Sequence, residues 1–165
     1  MGALGAMQGQ QQAGAAAPQA IPWQSLVQAL PASAPGWALD GQPEGESASF
    51  GGFTTSSAKC RLKQGTMTAD VQIIDTSVNP MLAMPFNMAR SMRVDSSDER
   101  MGPINFGSYP GTQKLKKKSN KAEVMVMVSN RVLVTVTVKG ATSEAPAVGV
   151  MQYVNFAHLA QLVGG

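Results

Sequence analysis

"EVMVMVSNRVLVTVTV", Glu123 to Val138, is the stretch that decides the fold. Two β-branched runs flank Ser129-Asn130, and side chains of a strand alternate between faces, so the stretch predicts a β-hairpin. In the second run Val132, Val134, Val136 and Val138 alternate with Leu133, Thr135 and Thr137. In the first, Val124, Val126 and Val128 alternate with Met125 and Met127. Both faces of the first run are apolar, which predicts a central position in a sheet. The register stays open. A two-residue turn puts Met125 and Met127 on the face of Val132 and Val134; a three-residue turn brings the valines together.

Upstream, "TTSSAKCRLKQG" sets Ala58, Cys60 and Leu62 against Lys59, Arg61 and Lys63. "TMTADVQIIDT" puts Met67, Ala69, Val71 and Ile73 on one face. The two read as a second hairpin about Gln64-Gly65, with a basic outer face. "INFGSYPGT" reads as a short strand ending in a Pro110-Gly111 turn, and residues 41–52, rich in Gly, Ser and acids, as a loop. Three segments predict helices. Trp23, Leu26, Val27 and Leu30 share one face of a helix closed by Pro31. Asn79 caps a second, with Pro80 at its first position and Pro85 one turn in. The third closes the chain from a cap at Ser143, with Val150, Tyr153, Val154 and Leu162 as its stripe. The expectation is an α+β fold: a mostly antiparallel sheet of about five strands, with two or three helices packed on one face. Residues 21–165 form one domain in this reading. Residues 1–20, "MGALGAMQGQQQAGAAAPQA", form an uncharged low-complexity tether.

Composition narrows the chemistry. Hydrophobic residues make up 44% of the 165, aromatics only 5%, and there are 11 methionines, so valine and methionine must fill the core. The net charge is +3, unevenly spread. All 13 basic residues lie between Lys59 and Lys139, against six acids there, a local excess of seven. Such a positive region steers a molecule toward acidic partners. One cysteine rules out an internal disulfide framework and a multi-thiolate metal site. No apolar run of 18 residues exists, so no transmembrane helix is expected, and no signal peptide is visible. A cytosolic protein and one whose leader has been removed both fit.

Catalytic candidates are few. His158 reads as a helix residue and Cys60 as a buried structural thiol on a strand's inward face. Asp95, Asp98 and Glu99 read as a solvated loop with ion pairs to Arg93 and Arg100. Met81, Met84, Met88 and Met92 recur at helical spacing. Core packing is the first reading of that stripe, a protein contact the second, and thioether ligation of a soft metal the third. "KLKKKSNK", Lys114 to Lys121, packs five lysines into eight residues. It reads first as the wet tip of a hairpin, protected from edge pairing by charge. A docking patch for an acidic protein or membrane surface comes second, and nucleic acid third, because no aromatic interleaves with the lysines.

Several pieces together resemble a family of small bacterial α+β domains, often exported or lipid-anchored, with no assigned activity. They are "PWQSLVQALPASAPGW", "FGGFTTSSAKCRL", "VQIIDTSVNPMLAMPFNMA", "FGSYPGTQKL", "AEVMVMVSNRVLVTVTVKG" and "VNFAHLAQL", spanning Ile21 to Leu162. The resemblance implies an accessory envelope domain, in the periplasm or at the membrane periphery, with the cytoplasm as the alternative. The combined expectation is a non-enzymatic interaction domain without cofactor or metal. It would dock on another protein or membrane-associated complex through Lys114, Lys116, Lys117, Lys118, Lys121, Met84, Met88 and Met92. Binding of nucleic acid or an anionic membrane by the lysines is the alternative.

Overall fold

The computed structural model describes residues 19–164, so most of the expected tether lies outside the described residues. The decisive hairpin is present as β8 (Lys121–Val128) and β9 (Val132–Lys139). Its turn settles the register. Ser129 and Asn130 have φ of 51° and 53°, and the Arg131 N–H donates to Val128 O at 3.0 Å. Arg131 is then an extra residue, so Val128 pairs with Val132 and the two valine series share a face. The extra residue's carbonyl accepts from Thr76 N (2.9 Å) and Thr76 Oγ1 (2.6 Å), so the bulge leaves no orphan there.

The remaining strands are β1 (Ala38–Leu39), β2 (Glu44–Phe50), β3 (Phe53–Gln64), β4 (Met67–Asp75), β5 (Val94–Asp95), β6 (Glu99–Phe106) and β7 (Tyr109–Lys116). All pair antiparallel in one nine-stranded sheet, in the order β1-β3-β4-β9-β8-β7-β6-β5, with β2 also against β3. Nine strands and four helices among the described residues replace the expected five and two or three. The shortfall has a physical cause. β2, "EGESASF", has no apolar alternation and is almost wholly exposed, so a pairing strand reads as a loop. Pro110-Gly111 lies inside β7, and the true turn is Gly107-Ser108, where Gly107 takes φ of 61°. Gly111 is needed for closeness: a Cβ there would lie 2.6 Å from Met125 O.

One face carries the main core. Leu62, Val71, Ile73, Val124, Val126, Val134 and Val136 are fully buried under three helices. These are α1 (Trp23–Val27), α3 (Ala145–Met151) and α4 (Phe156–Gly164). The single closing helix of the sequence reading is two helices. Asn155 breaks it: its Oδ1 accepts from His158 N (3.0 Å) as a new cap, while its own N–H donates to Ala29 O (2.9 Å).

Helices do not all lie on one face. A 3₁₀ turn at Pro80–Ala83 and α2 (Met84–Arg90) carry the chain from β4, mid-sheet, across to β5 at the far edge. That crossing runs over the second face. There Ala83 and Phe86 pack on Met127, Leu133 and Met125, and β4 and β9 add Thr68, Asp70, Gln72, Thr135, Thr137 and Lys139 to the same face.

Candidate functional site

Strand alternation decides which lysines share a surface. Ala122 and Val138 point into the main core, so Lys121 and Lys139 beside them point to the second face. Leu115 is buried with that core too, so Lys114 and Lys116 also face away from it. Lys116 stands opposite Lys121, and Lys121 opposite Lys139. Neighbouring strands are about 4.8 Å apart, so three lysine stems rise in one cross-strand row roughly 10 Å long. Glu99 ends the row on the β6 side and Thr68 continues it on the β4 side.

The other lysines of "KLKKKSNK" are spoken for. Lys114 pairs with Glu99 (3.2 Å), Lys117 with Asp95 (3.1 Å) and Lys118 with Asp98 (2.8 Å). The Lys117 N–H also donates to Asp98 O at 2.8 Å. The acidic and lysine clusters thus clasp the β5–β6 hairpin to the β7–β8 tip. Asp95 and Asp98 take lysines rather than Arg93 or Arg100, and the hydrogen bonds from Lys118 and Ser97 hold Asp98 below the usual carboxylate range. Arg100 reaches the other way, donating Nε to Glu144 Oε1 at 2.7 Å at the start of α3; its hydrogen bonds keep Glu144 low.

Among the described residues, Arg90, Arg93, Lys116, Lys121 and Lys139 make no salt bridge. The lysine row is therefore a concentrated surplus of positive charge, with Glu123 one pairing step inward, opposite Lys114. Sequence reasoning missed Lys139, the third member. The signal was present: with a three-residue loop after Val128, counting back along both strands sets Lys121 against Lys139.

The methionine stripe shares this face and looks outward. Met81, Met84, Met88 and Met92 are 71%, 49%, 62% and 44% exposed, while Phe86 is 1% exposed. The core-packing reading of the stripe is thus corrected: Phe86 and the alanines anchor α2 and the methionines face solvent. Arg90 lies over the Phe86 ring, 5.9 Å from its centroid, at the end of the stripe. A polarizable apolar ridge and a lysine row lie at opposite ends of one sheet face.

The catalytic candidates do not converge. His158 Nε2 lies 3.0 Å from Ser25 O, which ties α4 to α1. Cys60 is buried in the main core, where desolvation, reinforced by the charge of Asp70, pushes its thiol up to about 11. Asp95 belongs to the lysine clasp. A groove lined by Asp40, Glu44, Lys59, Arg61 and Asp70 opens near β1 and β2; Lys59 pairs with Glu44 and Arg61 with Asp70, while Asp40 pairs with Lys63 outside it. Among the described residues no group of three His, Cys, Asp or Glu side chains is placed to hold a metal ion, and no helix is long and apolar enough to cross a membrane.

No family model, curated protein or solved structure matches the chain.

Proposed function

We propose that this chain is a non-enzymatic interaction domain that docks on an acidic partner protein through the second face of its sheet. The observation that carries the reading is the row Lys116, Lys121, Lys139. Like charges directly opposite each other destabilise a strand pair by a few tenths of a kcal/mol or more. Glu99, Asp95 and Asp98 are spent on Lys114, Lys117 and Lys118, and Glu123, one pairing step inward, is a single carboxylate beside three ammonium groups, so an acidic surface relieves the repulsion that remains. The exposed methionines add an adaptable apolar contact on the same face. The row steers the encounter and the ridge supplies buried area. An envelope or membrane-peripheral assembly in a bacterium is the setting that the sequence resemblance supports. Nucleic acid is the weaker reading, since no aromatic residue stands in the row to stack on a base.

The test is the native mass of the protein in gentle detergent extracts of its own cells. Two variants discriminate: Lys116→Gln with Lys121→Gln and Lys139→Gln, and Lys114→Gln with Lys117→Gln and Lys118→Gln. The expected result is co-migration with a larger assembly, lost in the first variant and kept in the second. Migration as a free 17.2 kDa species, or equal behaviour of both variants, overturns the reading.

A further inference from the structure

The β2–β3 hairpin outruns the sheet. β4 accompanies β3 only as far as the pair Ser56–Asp75, and Ser56 faces Ser47 on β2. Beyond that level Ala48, Ser49 and Phe50 pair with Thr55, Thr54 and Phe53 and with nothing else. At about 3.4 Å per residue the arm projects roughly 10 Å. At its tip Phe50 and Phe53 stand directly opposite each other, 90% and 60% exposed, joined by Gly51 and Gly52 at φ of 58° and 84°. They are the two most exposed aromatic side chains of the described residues.

We propose that this tip inserts into the interfacial layer of a lipid bilayer. Three further features of the arm fit that occupant. From Ser47 to Ala58 the chain has no charged residue. The hydroxyls of the arm are satisfied within it: Ser47 Oγ lies 2.9 Å from Ser56 Oγ, Ser49 Oγ lies 2.8 Å from Thr54 Oγ1, and Thr55 Oγ1 donates to Ala48 O. Internal pairing removes most of the penalty for taking those groups out of water. The other turns at this end of the sheet, Gly107-Ser108 and Ser129-Asn130, are uncharged as well, and Arg131, which follows the second of them, is held by Asp75. The lysine tip lies at the opposite end of the strands. A folded partner would need a pocket cut to two rings on a narrow arm; a bilayer accepts them without a shape requirement, and the arm keeps the charged body clear of the surface. β2 is an edge strand with outward backbone groups that need water or headgroups, so insertion stops at the tip. Two rings bind more weakly than a single acyl chain, so the contact is reversible and adds to a second attachment.

The experiment is flotation of the full chain with phosphatidylcholine vesicles at lipid concentrations on the order of millimolar, with and without phosphatidylglycerol. Quenching of Phe50→Trp by brominated lipid, compared with the unsubstituted chain, reports the tip itself. Expected are binding to the zwitterionic vesicles, insensitivity to salt, excess quenching at position 50, and at least a tenfold loss for Phe50→Ser with Phe53→Ser. The lysine-row variant should bind these vesicles unchanged, which separates this test from the docking proposal. Both rings are exposed, so the double variant keeps its melting transition. Binding that requires phosphatidylglycerol and the lysines overturns the proposal. So does absence of excess quenching, and so does concentration-dependent self-association lost in the double variant, which would make a second copy the occupant.

Discussion

Asp75 is where a single atom exchange should cost the most. Its side chain is fully buried at the end of β4. Oδ2 accepts from Ile21 N (2.7 Å) and Arg131 Nη2 (3.0 Å); Oδ1 accepts from Ser77 N (3.0 Å) and Arg131 Nε (3.1 Å). Arg131 Nη2 also donates to Gln19 O at 2.7 Å. The carboxylate thus ties three things together: the chain entering α1, the turn after β4, and the bulge of the β8–β9 hairpin. In Asp75→Asn one oxygen becomes an NH₂, and whichever it is, two donors then face a donor. Each orphaned donor costs about 1–3 kcal/mol, and breaking a buried pair costs about 3–5 kcal/mol. Arg131 keeps some access to water, its side chain being 26% exposed, which favours the lower part of that range: about 3–4 kcal/mol. In urea, with a slope of about 2 kcal/mol per molar, the midpoint should fall by roughly 1.5–2 M.

The pH dependence supplies a second check. Burial raises the pKa of Asp75, but the hydrogen bonds from Arg131, Ile21 and Ser77 outweigh it, so the folded value lies below the ordinary 3.8. A depressed folded pKa means the unfolded chain takes up the proton first as pH drops. The stabilisation is therefore complete well above pH 4 and is lost as pH falls through the folded value. The gap between the native chain and Asp75→Asn should be flat from pH 8 to 5 and shrink below about 4. Removing both partners, as Asp75→Leu with Arg131→Met, should cost less than the two single changes added, since no unpaired charge remains. A loss under about 1 kcal/mol at pH 7, or a gap that does not narrow in acid, would refute the reasoning.

Other expectations follow from the two faces. Phe86→Ala should lose about 3–5 kcal/mol, while Met84→Ala and Met88→Ala should each stay within about 0.5 kcal/mol; equal losses in chemical denaturation would reverse the assignment of the faces of α2. Gly111→Ala should cost about 1–3 kcal/mol because the new methyl meets a backbone oxygen, and an unchanged melting temperature would show that the strands can part there. With its thiol pushed up to about 11, Cys60 should react with an aromatic disulfide at pH 8 only as fast as the protein opens, so rapid labelling of the native state would contradict its burial. Lys121→Gln should raise the melting temperature slightly at low salt, and the gain should fade at high salt as screening removes the repulsion it relieves.

What could be read from the residues, and what could not, divides by range. Ala58, Cys60 and Leu62, then Met67, Ala69, Val71 and Ile73, carry an alternation that needs no knowledge of partners, and β3 and β4 lie where it puts them. β2 pairs with β3 over seven residues without any such pattern, because Ser, Gly and Glu at an exposed edge are held by the ladder rather than by burial. The methionine stripe shows the limit of periodicity in another way. Met81, Met84 and Met88 share one side of a helical wheel, and Phe86 with Ala83 and Ala89 shares the other. Both sides are apolar, so the pattern does not say which one the sheet covers; the chain's crossing from β4 to β5 does, and that is a property of the whole topology.

The lysine row makes the same point about function. Read along the chain, Lys114, Lys116, Lys117, Lys118 and Lys121 are one cluster of five. Read across the sheet, Lys114, Lys117 and Lys118 meet Glu99, Asp95 and Asp98, and the two left over join Lys139, eighteen residues beyond Lys121. The count of positive charges therefore overstates the unpaired positive surface and misplaces its centre. One loop length governs the difference. A two-residue turn after Val128 would have paired Val128 with Arg131 and set Lys121 opposite Val138, and the valines would have split between the faces. The left-handed Ser129 and Asn130, with Arg131 as the extra residue, bring the valines together into the core and, by the same shift, bring the lysines together on the opposite face. Burial of the valine series fixes that register far more strongly than repulsion among three solvated ammonium groups can oppose it. The positive row is thus maintained by the core beneath it, which is the physical reason a surface unfavourable to its own sheet persists.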